Sequence, residues 1–173
     1  QMCIRDRTGA VSYLYYADRI YQINLAIAGI AVGTVVLPNL SKKIKENNKN
    51  SINILQNKSL ELSLALSLPA AFGLFIASKE IVSSLFGYGS FTQDDVRNTS
   101  LALMYFALGV PAFALIKVLS SFYFARDNTK IPFYISFFSM ITNVFISVVF
   151  FKEYGFIIIP IATTFSSWLS VLI

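Results

Sequence analysis

Five long apolar stretches, separated by short polar connections, make up most of the chain. Each is close to the roughly 20 residues that a helix needs to cross the hydrocarbon core of a bilayer. Continuous apolar runs of this length predict helices, because barrel strands would alternate apolar and polar residues over about ten positions. The predicted helices cover residues 10–38, 59–86, 99–124, 131–151 and 155–173. We therefore expect an all-α, polytopic membrane helical bundle with about five transmembrane helices.

The polar connections agree with this pattern. Residues 41–58 carry five lysines, and the apolar residues among them fall near one helical face, so part of this segment is expected to lie along the membrane surface. Thr92-x-x-Asp95 has the form of a capping box and predicts the start of the third helix. The bias of Lys and Arg places 41–58 and 126–130 in the cytoplasm, so the first helix is expected to run from the outside inward.

Three prolines fall inside predicted helices. Pro69, Pro111 and Pro160 are expected to bend the second, third and fifth helices, because each removes a backbone donor. Two interpretations stay open: the freed backbone groups line a transport cavity, or the bends serve packing alone.

Composition narrows the function classes. Of 173 residues, 55% are hydrophobic and only 13% are charged, about half the charged share of a soluble domain. Histidine is absent and Cys3 is the single cysteine, which excludes disulfides and Cys/His metal sites within the chain. The net charge of +5 does not indicate nucleic-acid binding, since the basic residues lie in the connections. Residues 1–7 are interpreted as an irregular or non-native tail, and the rest as part of a longer membrane protein.

The first helix carries the strongest candidate for chemistry. Arg19 lies in an apolar segment, where a charge costs about 2.5–3.5 kcal/mol and therefore usually faces a bundle interior or a wet cavity. Helical spacing puts it on one face with other polar and aromatic residues, namely Ser12, Tyr15, Tyr16 and Gln22. A substrate-binding role and a structural role, as an ion pair or at the interface, remain open for Arg19. Asp18 is expected to meet another helix. Asp18, Tyr16 and Gln22 are also candidates for binding substrate beside Arg19.

Two further polar features lie in later helices. Lys117 either extends to the cytoplasmic interface or lines a cytoplasmic vestibule that contacts substrate. Asn143 and Ser147 lie one turn apart on the fourth helix, and Thr163 lies on the fifth. Their neutral oxygens suit a sodium ion, although hydrogen bonding between helices is the favoured explanation. An enzyme is not expected, because a P-loop and the clustered Asp motifs of magnesium-dependent membrane transferases are both missing.

Three motifs together resemble the MurJ/MviN family of lipid II flippases. They are YYADRIYQINLAIAGIAVGTVVLPNLS, GYGSFTQDDV and ALGVPAFALIKVLSSFYFARDNTKIP, and the resemblance runs in order over residues 8–173. It implies a MATE-like fold of the multidrug/oligosaccharidyl-lipid/polysaccharide (MOP) exporter superfamily, with two six-helix lobes around a cavity. By resemblance, residues 8–173 form a partial C-terminal lobe, and the first lobe of the same polypeptide is missing.

The resemblance also implies a function. The family moves an undecaprenyl-linked peptidoglycan precursor across the bacterial inner membrane, and the arginine of its YYADR motif, here Arg19, lines the cavity. Coupling to membrane potential, sodium or protons is implied without any other cofactor; Asn143 and Thr163 fall near the family's sodium site, whereas Ser147 replaces an acidic residue of some members. Membrane lipids are expected partners and nucleic acid is not. Alternatives are another exporter of lipid-linked glycans or drugs, or a non-transporting membrane scaffold.

Overall fold

The computed structural model describes residues 9–26, 29, 32–46 and 49–173, and within them it is helical without strands. The predicted tail, residues 1–7, lies outside the described residues. The helices are α1 (Ala10–Leu25), α2 (Val32–Lys45), α3 (Lys49–Ile76), α4 (Ser78–Phe86), α5 (Gln93–Ala107), α6 (Val110–Phe124), α7 (Lys130–Tyr154) and α8 (Ile158–Leu172). The all-α helical bundle predicted from the apolar stretches is confirmed.

The lysine-rich segment 41–58 differs from its predicted form. Instead of a connection lying partly along the membrane surface, it supplies the end of α2 and the beginning of α3. Its apolar residues Ile44, Ile52 and Leu55 pack on a core cluster formed by α2 and α6. Burial against protein therefore accounts for the helical spacing that suggested a surface helix. Pro38 lies inside α2, which this packing stabilises beyond the point where the first helix was predicted to end.

Two apolar cores hold the bundle together. The larger joins α1, α3, α4, α5 and the start of α6, with Ala17, Leu103 and Val110 fully buried. The smaller joins α2 to α6 through Leu40, Val118 and their neighbours. Because α1 uses one face for the larger core, its other face stays open.

A bend between α5 and α6 lies just before Pro111, as predicted. The two helix axes differ by 44°, and Pro111 occupies the first turn of α6. Side chains of α8 bind the carbonyl groups freed there: Thr164 Oγ1 donates to the Tyr105 carbonyl at 2.9 Å and Trp168 Nε1 to the Leu108 carbonyl at 3.0 Å. At Pro111 the structure therefore supports the packing interpretation rather than a carbonyl-lined cavity.

The other two prolines occupy different settings. Pro69 lies inside α3, which continues to Ile76. Pro160 lies in the first turn of α8, where a missing backbone donor costs little, so the predicted bend within the fifth helix is wrong.

Helices α7 and α8 form an antiparallel hairpin. Gly155, with φ of +62°, ends α7, and a 3-10 turn over Gly155–Ile157 leads into α8. Ser139 and Asn143 of α7 bond to Ser166 and Thr163 of α8, which fixes the register. The remaining surface of α7 is apolar and exposed, as for Phe145 (66%) and Val148 (71%), which suits contact with lipid.

By length and composition, fewer helices of the described residues could cross a membrane than the five that were predicted. Lys49–Ile76 and Lys130–Leu172 are long and apolar enough, and the bent pair α5–α6 counts as a third span. Part of the difference arises because Lys130–Leu172 counts as one span. It contains two helices, α7 and α8, which pack against each other. In addition, the first predicted helix, 10–38, lies partly outside the described residues.

Candidate functional site

Arg19 lies on the open face of α1, as its sequence position predicted. Its guanidinium is exposed; Nη2 donates to the Tyr15 hydroxyl at 3.0 Å, and the guanidinium carbon lies 4.8 Å from the centre of the Tyr15 ring. Ala17 and Ile20, on the opposite side of the helix, are buried in the larger core. Tyr15 therefore steadies a cation whose remaining donors point away from the described residues.

Asp18 and Gln22 interact with each other on the same helix. The Gln22 amide donates to the Asp18 carboxylate one turn earlier, so this charge has a local partner. Its predicted contact with another helix stays a prediction. Gln22, which is exposed, extends the open face beyond Arg19.

Tyr16 is placed differently from the face predicted for it. Its half-buried ring packs against Phe86 at 4.7 Å and Phe91 at 5.5 Å between ring centres. Tyr15 and Tyr16 lie about 40° and 60° from Arg19 around the helix, one on each side of it. The aromatic residues near the end of α4 pack on the Tyr16 side, so Tyr16 turns inward and Tyr15 stays exposed. A substrate-binding role for Tyr16 stays a prediction, and this packing gives the residue a structural task.

Lys117 lines a groove of about 700 Å³ between α2, α6 and α7. The side chain is exposed, and Thr34, Ser120 and Thr129 contribute hydroxyl groups to the groove walls. Both interpretations of Lys117, at the cytoplasmic interface or in a vestibule, stay predictions. Among the described residues, those that line this groove do not include Arg19.

The structure does bring together the residues considered for sodium. Asn143 Nδ2 donates to Thr163 Oγ1 at 3.0 Å and to Ser166 Oγ at 3.4 Å, and Ser147 Oγ donates to Asn143 Oδ1 at 3.5 Å. Thr163 Oγ1 in turn donates to the Ile159 carbonyl at 2.8 Å. Asn143 and Thr163 also line a cavity of about 520 Å³ between α6, α7 and α8. The cluster is neutral and extensively hydrogen-bonded.

Asp95 and Tyr13 form a contact that the sequence predicts only in part. The predicted capping box is confirmed, with Thr92 and Asp95 exchanging both hydrogen bonds at the start of α5. The Tyr13 hydroxyl also donates to Asp95 Oδ1 at 2.7 Å, which ties α1 to α5. No sequence signal indicates this pairing, because the two residues are 82 positions apart.

Comparisons with known proteins agree with this architecture. The family model described as "Lipid II flippase MurJ" matches residues 6–173. A Rickettsia prowazekii protein named "Probable lipid II flippase MurJ" is 41% identical over 92% of this chain and 32% of its own length. A protein of the same name from Rhizobium meliloti is 39% identical over 96% of this chain and 31% of its own length.

A solved structure, "Lipid II flippase MurJ, inward closed conformation", superposes with a TM-score of 0.87 at 31% identity. The superposition covers 95% of this chain and 34% of that one. This chain thus spans about a third of the length of these relatives, and its apolar helices are those of an integral membrane protein. The chain belongs to the lipid II flippase MurJ family.

Proposed function

We propose that the chain is part of a flippase that moves the undecaprenyl-linked peptidoglycan precursor across the bacterial inner membrane. Membership of the MurJ family and the fold shared with a solved MurJ structure support this proposal. The observation that carries it is the exposed Arg19 on the open face of α1, a helix of a membrane protein whose other face packs on the core. The family is one of transporters, so we infer transport rather than catalysis.

Arg19 has the chemistry that this cargo requires. Its planar fork of donors matches the oxygens of a diphosphate or a carboxylate, both of which a lipid-linked peptidoglycan precursor carries. Tyr15 uses one of these donors and leaves the others for the cargo. In this proposal Arg19 binds the anionic headgroup when the cavity is open to the cytoplasm, and alternating access between two lobes then carries the headgroup outward.

The rest of a longer polypeptide completes the site in this proposal. Because the chain spans 32% of the length of its Rickettsia relative, we infer that a first lobe faces Arg19 across a central cavity. Lys117 would lie in a vestibule on the cytoplasmic side of that cavity. Membrane lipids would cover the exposed apolar surface of α7.

A complementation experiment tests the proposal. The full-length protein that contains this chain is expressed in cells depleted of their own flippase, and growth is measured together with the amount of precursor reaching the outer leaflet. We expect both to be restored. Restored growth without outward movement of the precursor would contradict the proposal, as would normal protein levels in the membrane without growth.

Whether transport is coupled to sodium depends on whether the polar cluster of α7 and α8, which contains Asn143 and Thr163, can bind the ion. Its oxygens are of the kind that sodium binds, but Asn143 turns its amide NH2 group toward Thr163 and Ser166, and the cluster contains no carboxylate. These residues alone do not fit a tightly bound cation, since a hard cation needs oxygens free of internal bonds. We propose that membrane potential drives transport.

This proposal predicts that sodium is dispensable. Replacing sodium by potassium at constant membrane potential is expected to change the rate of outward movement by less than about twofold, because the neutral cluster supplies no charge to hold the ion. The measurement is transport in sealed vesicles with the two salts exchanged. Collapse of the potential with an ionophore serves as the control and should stop transport. A loss of transport on removing sodium alone would show that a cation site exists.

A further inference from the structure

The hydrogen bond between Tyr13 and Asp95 joins two helices at a fixed point. It measures 2.7 Å and links the first turn of α1 to the first turn of α5. The Tyr13 ring is also held from the side by Phe156, with ring centres 5.8 Å apart. The start of α1 therefore contacts both α5 and the turn between α7 and α8.

Asp95 is a rigid acceptor because its other oxygen is already in use. Oδ2 accepts from the backbone N–H and from the hydroxyl of Thr92, each at 2.7 Å. These bonds close the helix cap, so the carboxylate cannot turn away without opening the first turn of α5. Tyr13 and Thr92 both donate to it in this arrangement, which favours the ionised form. A bond to an ionised acceptor is also stronger and more directional than contact between apolar groups.

The bond lies on the side of α1 that faces away from Arg19. Tyr13, Ala17 and Ile20 follow each other at helical spacing along the side of α1 that packs on the core. Arg19 is two residues beyond Ala17, about 200° around the helix, and so faces outward. The close packing of Ala17 and Ile20, and the stacking of Tyr21 on Phe106 at 5.0 Å between ring centres, also hold the helix in this rotation. The bond from Tyr13 adds a directional contact at the start of the helix.

We infer that Tyr13 is a positioning residue, whose hydrogen bond to Asp95 holds the start of α1 against α5 and so helps to keep Arg19 on the open face. This inference rests on the proposed function for its consequence in transport. The contact itself can be tested without the cargo. Removal of the hydroxyl should let the start of α1 separate from α5 more often, which exposes Ala17 transiently and holds Arg19 less firmly on the open face.

Thiol labelling in the full-length protein tests the inference. In a background without other cysteines, Ala17→Cys reports on the buried side of α1, and Val118→Cys reports on the separate core between α2 and α6; both positions are fully buried. Tyr13→Phe keeps the ring and removes only the hydroxyl. We expect it to raise maleimide labelling at position 17 about tenfold or more, without change at position 118. Tyr88→Phe, at an exposed tyrosine beyond α4, is the matched control and should change neither.

A second variant and a transport assay separate the outcomes. Asp95→Asn should raise labelling at position 17 as Tyr13→Phe does, and the double variant should label no faster than Asp95→Asn alone.

Outward movement of the precursor should fall with Tyr13→Phe and persist with Tyr88→Phe. Unchanged labelling at position 17, equal increases at both reporters, or altered labelling with normal transport would each overturn the inference. If the unsubstituted protein moves no precursor, the proposed function fails, while labelling still decides whether the contact orients α1.

Discussion

Replacing Arg19 with alanine in the full-length protein is expected to abolish growth of flippase-depleted cells. Removing one partner of a desolvated, hydrogen-bonded charge pair typically costs about 2–5 kcal/mol, which corresponds to a loss of roughly 30-fold or more in binding. The substitution also leaves Tyr15 without its cation, but this exposed interaction contributes little to folding. We therefore expect normal amounts of protein in the membrane and a loss of outward movement of the precursor.

Graded substitutions make this prediction specific. Arg19→Lys keeps the charge and loses the planar fork, so we expect partial activity if the cargo presents a diphosphate or a carboxylate. Arg97→Ala removes an exposed arginine of α5 from a position outside the open face of α1 and should support growth. Growth with Arg19→Ala at normal protein levels would remove the central support for the proposed function.

The fold class was predictable because it depends on composition along the chain. Long apolar runs leave a helical bundle as the structure that satisfies every backbone group in a bilayer. Local signals were equally informative: the Thr92–Asp95 capping box and the bend before Pro111 depend on residues within one or two helical turns. The meeting of Asn143 with Thr163 was also anticipated, since both are polar positions on neighbouring apolar helices.

Contacts between distant helices could not be predicted in this way. The sequence places both Tyr15 and Tyr16 close to Arg19, and only the position of Phe86 and Phe91 shows that Tyr16 turns inward. Likewise, the helical spacing of the apolar residues in 41–58 suggested a face that lies on the membrane surface, whereas these residues pack on the core between α2 and α6. In both cases the outcome depends on which partner lies opposite a given helical face, and a single helical pattern does not contain that information.

Substitution of Gly109 by alanine is expected to destabilise the protein, because this glycine lies where α5, α6 and α8 meet. A Cβ atom there would lie 2.8 Å from Phe113 Cε2, 2.9 Å from Thr164 Oγ1 and 3.2 Å from the Phe106 carbonyl oxygen. These contacts are too short, and the carbonyl cannot move without deforming the bend between α5 and α6. Displacing Thr164 would also break its bond to the Tyr105 carbonyl. We expect Gly109→Ala to lower the free energy of unfolding by about 1–3 kcal/mol.

Thermal or denaturant unfolding in detergent measures this effect, and Gly73 provides the matched control. Gly73 lies inside α3, and a Cβ there meets no atom within 4 Å. Gly73→Ala should therefore be neutral or stabilising by up to about 1 kcal/mol, through the better helix propensity of alanine. Equal stability of the two variants would show that α8 does not pack closely on the bend.

A double-mutant cycle identifies the contact responsible. Thr164→Ala removes the hydroxyl that a new Cβ at position 109 would meet, and it also leaves the Tyr105 carbonyl without that donor. The Thr164→Ala background should therefore reduce the further cost of Gly109→Ala, whereas two independent effects would add. Such non-additivity would show that α8 closes over the bend at this residue pair, and that the glycine is required because the helices approach each other so closely here.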